Sequence, residues 1–131
     1  MAKKAESTNS RSEKQKSVQL YNLDQFRAYA GGDPENFHQI IVLFINSGLK
    51  NVAFFRQSLH EKNTTAISEL AHKMLPLFRM LQTNNIVELL NQLEQKDPEN
   101  INHEVYFSMG KSALGKIEEV LQIIQEEENI D

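Results

Sequence analysis

The sequence predicts an all-α fold: an antiparallel four-helix bundle with an additional short N-terminal helix. Three observations carry that expectation. Helix punctuation is frequent, at Gly31-Gly32, Asp33-Pro34, Asn63-Thr64-Thr65 and Asp97-Pro98. Apolar residues recur every three or four positions between those breaks, which is the spacing of one buried helix face. No Asn-Gly or Asp-Gly hairpin signal occurs, and no stretch alternates apolar and polar residues for long. A chain of 131 residues, 40% hydrophobic and 24% charged, has the length of one domain and enough apolar content for one core.

The elements follow in order. Residues 1–17 are rich in Ser, Lys, Glu and Asn and nearly without apolar side chains, so they read as a disordered basic tail or linker, with the bundle spanning 18–131. A short first helix is expected near Leu23–Ala30, closed by Gly31-Gly32 because glycine tolerates the left-handed conformation that ends a helix. Asp33 then caps a second helix with Pro34 at its first position. Its apolar stripe is 37, 41, 44, 52, 55 and 59, with Gly48 in the same stripe, and it runs to about Lys62. A third helix, capped around Asn63, runs to about Gln82 on Ile67, Leu70, Met74, Leu77 and Leu81. A fourth covers about Asn85–Gln95, and Asp97-Pro98 breaks the chain. A fifth covers about Asn102–Glu127, with Val105, Met109, Leu114, Ile117, Val120, Leu121 and Ile124 inward and a fraying end at Glu126–Glu128. Short connections between long helices favour antiparallel neighbours.

Charge and composition remove several function classes. The net charge is −4, and it is unevenly placed: +3 over residues 1–17, +1 over 18–86 and −8 over 87–131. An acidic body argues against nucleic acid, which needs clustered Lys and Arg. The absence of cysteine excludes disulfides, thiolate metal sites and a cysteine nucleophile. The longest apolar run, Ile40–Ile45, is far too short to span a membrane, and nothing reads as a secretory signal, so the expected compartment is the cytoplasm. No Gly-rich phosphate loop and no Gly-x-Ser-x-Gly is present.

Four histidines are the candidates for chemistry: His38, His60, His72 and His103. His38 lies beside the apolar stripe, His60 sits at a helix end where positive charge is favoured, and His103 falls in a first turn. His72 stands apart. At about 100° per residue it projects from the face opposite the expected stripe, together with Thr65, Ser68, Leu75, Pro76 and Arg79. Pro76 cannot donate to the carbonyl of His72 and should kink the helix, at a cost of about 3 kcal/mol. Two Glu-x-x-His pairs, Glu35/His38 and Glu69/His72, also match the ligand spacing of di-metal bundles. Against this, Glu35 belongs to a first turn and His72 points outward, whereas such ligands point inward.

The segment Leu70-Ala71-His72-Lys73-Met74-Leu75-Pro76-Leu77-Phe78-Arg79-Met80-Leu81 resembles the signature of histidine-containing phosphotransfer (HPt) domains, an Ala-His pair on the third helix of such a bundle. The order of helices over about residues 20–127 is similar as well. The resemblance implies a phosphorelay intermediate of two-component signal transduction. His72 would take a phosphoryl group from a receiver-domain aspartate and pass it to another. Neutral imidazole is nucleophilic near pH 7. No cofactor of its own is implied, since the receiver supplies Mg²⁺ and the acidic pocket. Such a domain is a phosphohistidine carrier rather than an independent enzyme.

The family's lysine three residues after the histidine is Leu75 here, and its glycine four residues after is Pro76. Lys73 and Arg79 are therefore the candidates to support the phosphoryl group, Arg79 through a guanidinium that can hold two oxygens. The expected docking surface is Ser68, Leu75 and Pro76 around His72, of the modest size, about 1,200 Å² or less, usual for transient partners. The partners implied are receiver domains and a sensor histidine kinase, with no nucleic acid and no membrane contact. The tail then reads as a linker from a hybrid sensor kinase or as the leader of a stand-alone protein. Two other readings differ in class: a non-phosphorylated helical adaptor that docks a receiver or kinase, and a di-metal bundle enzyme.

Overall fold

A computed structural model describes residues 20–94 and 102–130. The expected tail at 1–17 and the break at Asp97-Pro98 lie outside the described residues. Among the described residues there are five helices: α1 Asp24–Tyr29, α2 Pro34–His60, α3 Thr64–Met80, α4 Asn84–Leu93 and α5 His103–Glu127. Among the described residues there is no strand.

Local chemistry sets the boundaries. Gly31 and Gly32 both adopt positive φ, 70° and 78°, and turn the chain out of α1. Asp33 accepts a hydrogen bond from Glu35 N, and Pro34 follows it at the first position of α2. Asn63 accepts from Ala66 N to start α3, and Asn102 accepts from Val105 N to start α5. α3 continues without interruption through Pro76. α5 extends to Glu127 despite its acidic end, where the Tyr21 hydroxyl donates to the Glu127 carboxylate.

The four long helices form a closed square. α2 packs on α3, α3 on α4, α4 on α5 and α5 back on α2, while α1 packs on α2. Neighbours joined by short turns run antiparallel, which makes this an antiparallel bundle with a short helix in front. The backbone N–H of Asn22 donates to Leu81 O at 2.8 Å and ties the segment before α1 to the end of α3. The core is aromatic at one end. Phe26 of α1, Phe44 of α2 and Phe78 of α3 stack in a chain, with centroids 5.4 and 5.9 Å apart. Ile41, Ile45, Phe55, Ile67, Leu90, Leu93, Ile117 and Ile124 fill the remainder.

Two inner faces differ from expectation. On α3 the buried residues are Ile67, Ala71, Met74, Leu75 and Phe78, whereas Leu70 and Leu77 are only partly covered. α3 touches both α2 and α4, so its buried arc is wider than a single stripe and swings to include 71, 75 and 78. On α5 the expected Val105 is exposed, and Tyr106, Gly110 and Ala113 face inward. The small residues permit close approach. A Cβ on Gly110 would lie 2.7 Å from Leu59 Cδ2, and one on Gly48 would lie 3.1 Å from both methyl carbons of Leu121.

Candidate functional site on the α3–α4 face

His72 stands in the middle of α3, one residue past the fully buried Ala71, and its side chain is 76% exposed. It contributes almost nothing to the core. Its Nδ1 meets the Glu94 carboxylate, which is 32% exposed and projects from the residue that closes α4. An ionised carboxylate only accepts, so Nδ1 is the donor and carries the proton.

The base under Glu94 is firm. Its backbone N–H donates to Leu90 O at 2.9 Å. Leu93 beside it is completely buried, and the Tyr106 hydroxyl donates to the Leu93 carbonyl at 2.7 Å. That carbonyl lies in the last turn of α4, where helix geometry supplies no partner. Burial of Tyr106 pushes its hydroxyl pKa up to about 12.

Arg79 lies two turns beyond His72 and also reaches α4: its guanidinium donates to Asn91 Oδ1 at 3.2 Å. Helical side chains lean toward the amino end of their helix, so the Arg79 head leans toward His72. His72 and Arg79 on α3 thus face Glu94 and Asn91, which are three residues apart on one face of α4. Lys73 is exposed next to His72 but points about 100° away around the helix. Ser68 is half-buried one turn before His72, and Pro76 is exposed one turn after it.

Leu75 is a correction. It is 2% exposed and belongs to the core, so it is not part of a docking surface. The cause is the wider buried arc of α3, which places position 75 between neighbouring helices. The exposed surface around His72 is polar, shared between α3 and α4. Glu94 and Asn91 carried no local sequence signal, because their role arises only where α4 returns alongside α3.

The other histidines stay apart from this site. His38 is exposed in the first turns of α2, and His60 is exposed at that helix's end. The His103 ring packs edge-on to Phe107 at 6.0 Å. Among the described residues, no three His, Asp or Glu side chains gather to hold a metal ion. No helix among the described residues is long and apolar enough to cross a membrane. No protein-family model matches the chain, and no curated protein and no solved structure matches it either.

Proposed function

We propose that this chain is an HPt-like phosphorelay intermediate, with His72 accepting a phosphoryl group from a receiver-domain aspartate and returning it to another. The observation that carries the reading is the imidazole itself: 76% exposed, mid-helix on the third helix of the bundle, with one nitrogen engaged by a carboxylate. A ring that packs nothing is free to enter a partner's active site, which an intermolecular transfer requires. Positioning and charge neutralisation dominate phosphoryl transfer, and Mg²⁺ on the partner supplies most of the latter. Arg79 adds a cation from this side, and Pro76 leaves the approach to the ring without a long side chain. The partners in this reading are receiver domains and a sensor kinase, and the setting is cytoplasmic two-component signalling.

The test is the intact mass of the chain after incubation with phosphorylated receiver domains and Mg²⁺. One acid-labile, alkali-stable phosphoryl adduct, absent from His72→Gln, is expected. No adduct on folded protein with any receiver of the source organism would sink the relay reading.

A non-phosphorylated adaptor is the second reading, and burial of Leu75 favours it. The position that bears the phosphate-supporting lysine in HPt domains is here a core residue, 2% exposed. An adaptor binds a receiver or kinase with the same affinity whether His72 is present or replaced by Gln, and binding assays on the two chains separate the readings.

A further inference from the structure

We infer that an internal water molecule is bound between α2 and α3, held by the Asn51 carboxamide opposite Ala71. Among the described residues three polar side chains are buried: Asn51, Ser58 and Thr83. The Thr83 hydroxyl donates to Phe78 O at 2.9 Å. Ser58 lies in the last turn of α2, beside the chain reversal. Asn51 is different. It sits in mid-helix, is 4% exposed and makes no side-chain hydrogen bond among the described residues. A carboxamide carries two N–H donors and an acceptor oxygen. Unpaired in an apolar interior such groups are costly, so folded proteins pair them with protein or with ordered water.

The aromatic contact between α2 and α3 shows what faces Asn51. Phe44 and Phe78 meet across these two helices, with centroids 5.9 Å apart. Asn51 stands seven residues after Phe44, and Ala71 seven residues before Phe78. Seven residues return nearly to the same helix face. Antiparallel helices advance in opposite directions by about 1.5 Å per residue, so Asn51 and Ala71 meet two turns from the ring pair. Two rings fill one layer of the contact. A carboxamide and a methyl group fill the other, and this smaller pair leaves room for a water. Ala71 and Phe55 are 0% exposed and Met74 is 2% exposed, and none of the three brings a polar side chain to the amide. The nearest hydroxyl on the same helix is Ser47, four residues before Asn51 on the neighbouring turn and exposed.

These surroundings select the ligand. An ion would be stripped of water among Phe55, Ala71 and Met74, with no opposite charge beside it. An apolar molecule would leave the carboxamide unpaired. A water bonds the carboxamide on one side and the Ser47 hydroxyl on the other, and its remaining bond goes to the second lone pair of a helix carbonyl. That makes the about three hydrogen bonds of an ordinary buried water. Ala71 directly precedes His72, so the water lies behind the turn of α3 that carries the exposed ring.

The test is NOE and ROE transfer from water to the isotope-labelled full-length chain, in wild type, Asn51→Leu and Asn51→Ala. A water that stays bound gives NOE and ROE peaks of opposite sign, whereas surface hydration gives peaks of the same sign. Opposite-sign peaks are expected at the Asn51 side-chain amide and the Ala71 methyl of the wild type. Asn51→Leu fills the site with apolar atoms, and the Ala71 peak should vanish. Asn51→Ala removes the amide and leaves an apolar cavity, which stays dry, so the peak should vanish there too. The alanine variant decides the matter if leucine does not fit. Exchanging hydroxyl protons of serine and threonine can imitate a bound water, but a peak from them would survive both substitutions. An Ala71 peak that survives in a folded variant therefore overturns the proposal. So does a folded wild type in which neither Asn51 nor Ala71 shows a long-lived water.

Discussion

The Tyr106 hydroxyl of α5 donates to the Leu93 carbonyl of α4 at 2.7 Å, and this bond pins the end of the helix that presents Glu94 to His72. Tyr106 is 1% exposed, so the bond is made without competition from water. Tyr106→Phe keeps the ring and removes the donor, leaving a buried carbonyl in the last turn of α4 without its partner. It should cost about 1–2 kcal/mol in urea unfolding. A loss within about 0.5 kcal/mol, the scatter of neutral surface changes, would contradict the pinning role.

Alkaline pH offers an independent check on the same residue. The Tyr106 hydroxyl titrates near 10.0 when unfolded and at about 12 when folded, because burial disfavours the phenolate. Between those values the unfolded chain has released a proton that the folded chain still holds. Stability is therefore complete below pH 10 and falls as pH rises toward 12, by at most about 1.4 kcal/mol per pH unit from this group. Tyr106→Phe lacks the titration, so its deficit against wild type should shrink between pH 9 and pH 11. A deficit that stays constant would mean that the folded hydroxyl titrates normally.

Much of the fold was legible because caps are local. Asp33-Pro34, Asn63 and Asn102 start helices where they stand, and Gly31-Gly32 ends one. The exposed His72 was legible for a related reason, since a polar residue off the apolar stripe faces water. Leu75 was not. Whether it is covered depends on how many helices flank α3, and a single-stripe wheel presumes one neighbour where there are two. Tyr106, Gly110 and Ala113 were passed over on α5 because small or amphipathic residues do not register as apolar, although all three are buried and Gly110 leaves room for Leu59 of α2. Glu94 was illegible for a third reason: its contact with His72 joins residues on two helices and exists only in the folded bundle.

The glycines of the bundle should respond to alanine in opposite ways. Gly115 lies inside α5, and nothing within 4 Å would meet a Cβ there. Gly115→Ala should stabilise by about 0.5–1 kcal/mol through helix propensity and a less disordered unfolded chain. Gly48→Ala brings the same gain, but its Cβ lies 3.1 Å from both methyl carbons of Leu121, itself 1% exposed and closely surrounded. Overpacking should cancel the gain and leave a net loss of about 1 kcal/mol. Equal gains at the two sites in thermal melts would show that the α2–α5 contact yields freely.

Leu75→Ala tests the corrected face of α3. A core leucine cut to alanine costs about 2–5 kcal/mol, through lost transfer energy and a residual cavity. A docking residue on the surface would cost about 0.5 kcal/mol or less and would weaken partner binding instead. With Leu75 at 2% exposure, the loss should appear in denaturant unfolding of the isolated chain, and receiver binding should hold wherever the chain remains folded. Placing a lysine there, as Leu75→Lys, should destabilise further, because an ammonium would enter the core without a partner. Wild-type stability in both variants would return Leu75 to the surface.

Arg79→Ala addresses the cation of the site. The guanidinium is held by Asn91 at 3.2 Å, a neutral contact at an exposed position, so its removal should leave stability within about 0.5 kcal/mol. In the phosphorelay reading its effect would fall on the phosphoryl group: a loaded imidazole would carry three phosphoryl oxygens beside Glu94, with Arg79 leaning toward them from two turns up α3. Losing that cation should slow acceptance from a phosphorylated receiver and shorten the life of the phosphohistidine, by about tenfold for a charge-assisted hydrogen bond. Asn91→Ala, which frees the guanidinium but keeps its charge, should change the same rates by less. The measurement is adduct formation and decay by intact mass across wild type, Arg79→Ala and Asn91→Ala. Identical kinetics in all three would remove Arg79 from the site and leave Mg²⁺ on the partner as the source of charge neutralisation.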